Sequence, residues 1–116
     1  MADAPAPPTA RFHDDLAALV GKVPHDSIVS RQVYSDALVK VTLFGFAAGQ
    51  ELSEHTASKS AVIQVISGEG TFGLGCEVVR VGPGSWAHME AHLPHTVTAS
   101  SAMVVLLTMF KGGGAT

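Results

Sequence analysis

The sequence predicts an all-β protein, either a sandwich or a barrel of short strands. Apolar and β-branched runs recur along the chain, separated by glycine- and proline-containing turns at intervals of about 8–12 residues. Helical spacing of apolar residues occurs only near the N-terminus. With 116 residues, 47% of them hydrophobic, the chain can bury one core, so we expect a single domain.

The N-terminal part is predicted to contain a disordered tail and one short helix. Residues 1–10 are rich in proline and alanine and can bury little surface, as is typical of a mobile tail. Apolar residues with helical spacing then predict a short helix that ends at a glycine: Phe12, Leu16, Leu19, Val20 and Gly21. The folded domain is expected to span residues 11–111, with a frayed C-terminus at 112–116.

The rest of the chain is predicted to form strands. Period-two alternation and turn residues place them at 28–34, 37–46, 61–66, 71–74, 78–81, 85–89, 94–99 and 103–110. Residues 91–110 contain no Asp, Glu, Lys or Arg. Strands without charged residues are expected to be buried on both faces, in the barrel or at a subunit interface. We therefore expect a homodimer, in which residues 27–35 pair with the neighbouring subunit.

Composition excludes several classes of partner. The net charge is −3, and the seven Lys and Arg residues are scattered, which argues against nucleic acid. The longest apolar run, residues 102–107, is too short to cross a membrane. The N-terminus lacks the pattern of a secretion signal, and a single cysteine, Cys76, fits a reducing compartment, so we expect a cytoplasmic protein. Nothing near Cys76 marks it as a nucleophile.

Two glycine turns are each followed by a histidine at a fixed distance. In the first half, Gly49 is followed after five residues by His55, and Gly68 closes the segment. In the second half, His95 follows Gly84 by eleven positions. A histidine held in a fixed position is suited to bind a metal, a proton or a ligand through its ring nitrogens.

These two halves resemble the motifs of the cupin superfamily, specifically small single-domain cupins of the RmlC-like jelly-roll fold. The first family motif reads G, five residues, H-x-H, three or four residues, E, six residues, G. Here its second histidine falls on Ala57 and its glutamate on Ala61. The second motif reads G, five residues, P-x-G, two residues, H. Here its proline and glycine are replaced by Glu90 and His92.

The resemblance implies a double-stranded β-helix, or jelly-roll barrel, with His55 and His95 in its mouth. It also implies an incomplete metal site, because the methyl groups of Ala57 and Ala61 cannot coordinate a metal. Any divalent transition metal held by His55 and His95 alone, such as Zn, Ni, Fe or Mn, should therefore bind weakly.

Four further residues are candidates for the pocket. Trp86 and His88 share one face of a predicted strand and are candidate pocket residues, although His88 could instead simply pack beside Trp86. His92 and Gln64 are candidates for additional metal ligands. The competing interpretations are that His92 is an exposed turn residue and that Gln64 points away from the pocket, since alternation puts Ala61 on the opposite face.

Three functions are compatible with these residues. The first is a barrel that binds a small molecule, or weakly a metal, without a defined reaction. The second is a metal-dependent enzyme of the dioxygenase or isomerase type, using His55, His95 and a nonstandard third ligand. The third is a metal-free acid/base enzyme with His55 or His95 as the base.

Overall fold

The structure, a computed structural model, describes residues 5–112, with the side chains of Glu54 and His55 excepted. The described residues form nine strands and one 3₁₀ turn at Ala17–Leu19. The strands are β1 Ile28–Ser35, β2 Val39–Phe46, β3 Glu51–His55, β4 Ala61–Ser67, β5 Gly70–Leu74, β6 Glu77–Val81, β7 Trp86–Met89, β8 His95–Ala99 and β9 Met103–Phe110.

The strands build two antiparallel sheets. The large sheet has the order β1-β2-β9-β4-β7, and the small sheet has the order β3-β8-β5-β6. Apart from the β1–β2 and β5–β6 pairs, neighbouring strands are not consecutive in the chain, as in a jelly roll. The prediction of an all-β, double-stranded β-helix is therefore confirmed.

The core lies between the two sheets and follows from strand alternation. On β4, Ala61, Ile63 and Val65 are buried, while Val62 and Gln64 between them are only half-buried. The small sheet contributes its own inward-facing row to the same cluster, which as a whole contains Phe46, Ala61, Ile63, Val65, Phe72, Met89, Val97, Ala99, Met103 and Val105. Each large apolar side chain buried here contributes about 1.5–3 kcal/mol.

The turn after β4 requires a glycine. Gly68 adopts a φ of 81°, in the left-handed region that favours glycine. A Cβ atom added at Gly68 would also overlap the carbonyl oxygen of Ala102, at the turn that precedes β9. The glycine that closes the first motif is thus needed for the close approach of two backbone segments.

The prediction of a short N-terminal helix is wrong, because this segment forms only a 3₁₀ turn at Ala17–Leu19. Leu16, which precedes the turn, makes no side-chain capping hydrogen bond. A segment this short cannot offset the cost of helix nucleation by itself. Its apolar residues instead pack on the outer face of the large sheet, where an added Cβ at Gly45 would collide with the buried Val20.

The two ends of the chain have no regular secondary structure within the described part. Residues 5–10 are exposed, and residues 1–4 and 113–116, on which the predicted tail and frayed end partly fall, lie outside the described residues. The domain limits of 11–111 therefore stay a prediction. Within residues 5–112, no helix has the length and apolar character needed to span a membrane.

Candidate ligand site in the barrel

His95 is the centre of the candidate site. It is the first residue of β8, and its Cα is paired with that of His55 on β3 and with that of Leu74 on β5. It is 8% exposed and is the one buried polar or charged residue in the part of the chain that the structure describes. The register therefore places the two motif histidines on neighbouring strands, as the resemblance implies. The side chain of His55 lies outside what the structure describes.

A hydrogen bond to the backbone of Leu93 sets the orientation of the His95 ring. The Nδ1 atom lies 2.9 Å from the carbonyl oxygen of Leu93. Because a carbonyl oxygen can only accept, Nδ1 must carry the proton and donate. This hydrogen bond fixes the tautomer of the neutral ring, in which Nε2 is the nitrogen without a proton.

A cavity of about 170 Å³, here called the barrel cavity, lies beside His95. Its wall is mostly apolar, and it is lined by Ala57, Lys59, Ala61, Met89, Glu90, Leu93, His95, Leu107 and Met109. A smaller void of about 50 Å³ shares His95 and Leu107 with it and continues into the core. An apolar cavity with a few polar groups is the usual form of a small-ligand site.

Lys59 is a functional candidate that the sequence analysis missed. Its side chain is half-buried and lines the barrel cavity together with the exposed Glu90. The one ion pair among the described residues joins His25 to Asp26, so Lys59 is not neutralised by a described carboxylate. The signal that could have found it is its spacing, two residues from Ala57 and two from Ala61, although it lies outside a strand.

The described residues do not fit a transition metal. Ala57 and Ala61 line the cavity with His95, where the family motif has a histidine and a glutamate, and methyl groups offer no lone pair. No group of three His, Cys, Asp or Glu side chains comes together among the described residues. Zinc sites in proteins have at least three such ligands. In addition, the Lys59 ammonium would repel a divalent cation in the same cavity.

The expectation that Trp86 and His88 face the pocket is corrected by the structure. Along β7 the exposure alternates: Trp86 is 59% exposed and His88 is also exposed, whereas Ala87 and Met89 point inward. Trp86 is paired with Gln64 on β4, at a position whose side chains lie on the outer face. The two residues do share one face, as predicted, but it is the face away from the barrel cavity.

The two additional metal-ligand candidates also lie away from the cavity. Gln64 is on the outer face of β4, as alternation predicts when no bulge intervenes. His92 is exposed in the turn before β8, and its backbone N–H donates to the carbonyl oxygen of Ala57 at 2.7 Å. Its φ of 70° explains why the family motif has a glycine at this position.

Two facing antiparallel sheets with a small cavity at the start of β8 define a jelly-roll barrel with a ligand-type pocket. The Cupin domain family profile matches residues 42–110, and the chain belongs to the cupin family. No curated protein shows significant sequence similarity to the chain. The resemblance noted in the sequence is thereby confirmed at the level of the family.

Solved structures agree with this assignment. A conserved protein of unknown function from Streptococcus pyogenes is 26% identical, with a TM-score of 0.79 over 91% of this chain and 92% of that one. An RmlC-like cupin protein from Desulfovibrio desulfuricans is 30% identical, with a TM-score of 0.75 over 89% of this chain and 98% of the other.

An enzyme is also among the similar structures. Salicylate 1,2-dioxygenase from Pseudoaminobacter salicylatoxidans, in adducts with gentisate, is 16% identical, with a TM-score of 0.67. The match covers 71% of this chain but only 24% of the dioxygenase. At this identity the similarity concerns the fold alone, because the same fold carries many activities.

Proposed function

We propose that this cupin binds a small, mainly apolar molecule with one acidic group in the barrel cavity, without a metal. The observation that carries the proposal is that Lys59 and His95 both line the wall of a mostly apolar cavity. Two positions that hold metal ligands in the family are methyl groups here, and a lysine stands between them. The positive charge that faces the ligand is then an ammonium instead of a metal ion.

The size of the cavity limits the ligand. An engineered apolar cavity of about 150 Å³ in another protein binds benzene. The barrel cavity is about 170 Å³, with the void of about 50 Å³ adjoining it. The body of the ligand should therefore be about the size of one six-membered ring.

The charged residues on the wall of the barrel cavity limit the choice of ligand further. An acidic group could accept hydrogen bonds from the Lys59 ammonium, and such charge-assisted contacts are stronger than neutral ones. His95 adds a second polar side chain to the same wall. Glu90, exposed on the same wall, would repel a second negative charge, so the ligand should be a monoanion.

Calorimetric titration of the full chain with benzoate, benzyl alcohol and benzylamine tests the proposal. We expect benzoate to bind more tightly than the other two. Lys59→Met should weaken benzoate binding by about tenfold, since it removes one charge-assisted contact. The matched control is Lys40→Met, because Lys40 is exposed on β2 and lines neither barrel void. Equal affinity for benzoate and benzyl alcohol would contradict the assignment of the charge.

A metal-dependent enzyme of the dioxygenase or isomerase type is the second candidate. The observation that favours it is the direct register between His55 and His95. It would need a nonstandard third ligand in addition to these two. Elemental analysis of the purified protein, and melting curves with Zn, Ni, Fe and Mn, test it. Metal held near one equivalent after dialysis would favour this candidate over the metal-free site.

A further inference from the structure

A second and larger cavity lies outside the barrel, between the N-terminal segment and the outer face of the large sheet. Its volume is about 580 Å³, and we call it the N-terminal cavity. It shares no residue with the barrel cavity and is lined by Thr9, Ala10, Arg11, Phe12, His13, Leu16, Val33, Tyr34, Val41 and Leu106. Its volume falls within the range of about 300–1,000 Å³ that is usual for sites of drug-sized ligands.

Arg11 supplies a positive charge to this cavity. Its Cζ atom lies 5.9 Å from the centroid of the Tyr34 ring, within the range of a cation–π contact. The Tyr34 hydroxyl in turn donates to Asp36 at 2.7 Å, while the other carboxylate oxygen of Asp36 accepts from the backbone N–H groups of Leu38 and Val39. The Asp36 carboxylate is thus occupied elsewhere, and Arg11 makes no ion pair with any described carboxylate.

His13 adds an unsatisfied polar atom to the same wall. Its Nε2 is buried and has no hydrogen-bond partner. A buried polar atom without a partner costs about 1–3 kcal/mol, so such atoms call for an explanation. The ring of His13 lines the cavity beside Arg11, which no described carboxylate neutralises.

The opposite side of the N-terminal cavity is apolar. Leu16 comes from the N-terminal segment, and Val33, Val41 and Leu106 come from three neighbouring strands of the large sheet. Phe12, which is 81% exposed, lines the cavity as well. A cationic end and an apolar floor in one cavity suit a molecule that has an acidic head and an apolar body.

We propose that the N-terminal cavity is a second ligand site, which binds an amphipathic organic anion. The carboxylate or sulfonate of the anion pairs with the Arg11 guanidinium, and its aromatic or aliphatic body covers the floor of Leu16, Val41 and Leu106. The proposal is independent of the barrel ligand, because the two cavities share no lining residue.

Fluorescence titration of the full chain with 1-anilinonaphthalene-8-sulfonate tests this site. We expect saturable binding with about one probe per chain, displaced by decanoate but not by decanol. Arg11→Gln should weaken the affinity at least about fivefold, since a charge-assisted contact is lost. The matched control is Arg80→Gln, because Arg80 is exposed on β6 and does not line the cavity, and the affinity of this variant should equal that of the wild type.

A variant that fills the N-terminal cavity distinguishes binding in this cavity from binding to partly unfolded protein. Val33→Trp places a large side chain in the cavity at a position where the register of β1 is irregular, and it should abolish the probe signal at an unchanged melting temperature. Absence of saturable binding to the wild type, or equal affinities for Arg11→Gln and Arg80→Gln, would overturn the proposal. The proposal would also be overturned if the wild type is a dimer and Arg11→Gln dissociates it, because a second copy of the chain would then cover the cavity.

Discussion

Restoring the two missing metal ligands gives a quantitative test of how the motif is placed in the barrel. Ala57 and Ala61 both line the cavity with His95, so Ala57→His together with Ala61→Glu should create a four-ligand site with His55 and His95. At a free metal concentration of one hundred times Kd, binding stabilises the folded state by about 2.7 kcal/mol. For a domain of this size, that corresponds to a rise in Tm of roughly 10–20 °C.

The double variant should also be less stable than the wild type without metal. Ala61 is 5% exposed, so a glutamate there would bury a carboxylate. An unpaired buried carboxylate is costly, or its pKa rises and it becomes neutral. Melting curves with and without Zn, Ni or Co measure both effects in one series.

The matched control moves the carboxylate to the other face of β4. Ala57→His with Val62→Glu has the same added groups, but Val62 faces outward, opposite His88. We expect a smaller rise in Tm from this control, because it adds a third histidine to the cavity but no carboxylate ligand. An equal rise in Tm for both double variants, or no rise in the first, would refute the register that places Ala61 in the cavity.

Three further predictions follow from the backbone and the sheet edges. Gly68→Ala should destabilise the fold by at least about 3 kcal/mol in urea denaturation, since it adds an overlap with Ala102 to an unfavourable φ. Gly84→Ala, with a φ of 91° and open space around it, should destabilise the fold by only about 1 kcal/mol. Equal losses of stability in the two variants would contradict the overlap at Gly68. His92→Gly should raise the free energy of unfolding by about 0.5–1 kcal/mol, because a left-handed φ of 70° is strained for histidine. A loss of stability would show instead that the His92 side chain stabilises the fold. Light scattering after size exclusion should report a homodimer, because β1 is an edge strand of the large sheet, and a stable monomer of 12.0 kDa at micromolar concentration would contradict this.

Much of the fold could be predicted from the sequence, because strand alternation is a local signal. Ala61, Ile63 and Val65 alternate with half-buried residues, so the inward face of β4 could be read directly. The positions of Ala57 and Ala61 in the cavity were implied by the spacing of the family motif. The register between His55 and His95 is what brings the two halves of the motif together.

The errors have physical causes. Trp86 and His88 were correctly placed on one face, but Ala87 and Met89 are also compatible with the core, so alternation could not decide which face is inside. Lys59 lies between two strands, where no period applies. The N-terminal residues have helical spacing, yet their burial comes from docking of Val20 on the large sheet and not from a helix.

The most direct test of the central claim is a methyl NMR titration with benzoate. Two of the four methionines in the chain, Met89 and Met109, line the barrel cavity, while Met103 is buried in the core and does not line it. With 13C-labelled methionine methyl groups, benzoate should shift the Met89 and Met109 signals in a saturable way and leave Met103 unchanged, and Lys59→Met should reduce the affinity. No shift at Met89 and Met109, or an equal shift at Met103, would contradict an anion-binding site in the barrel cavity.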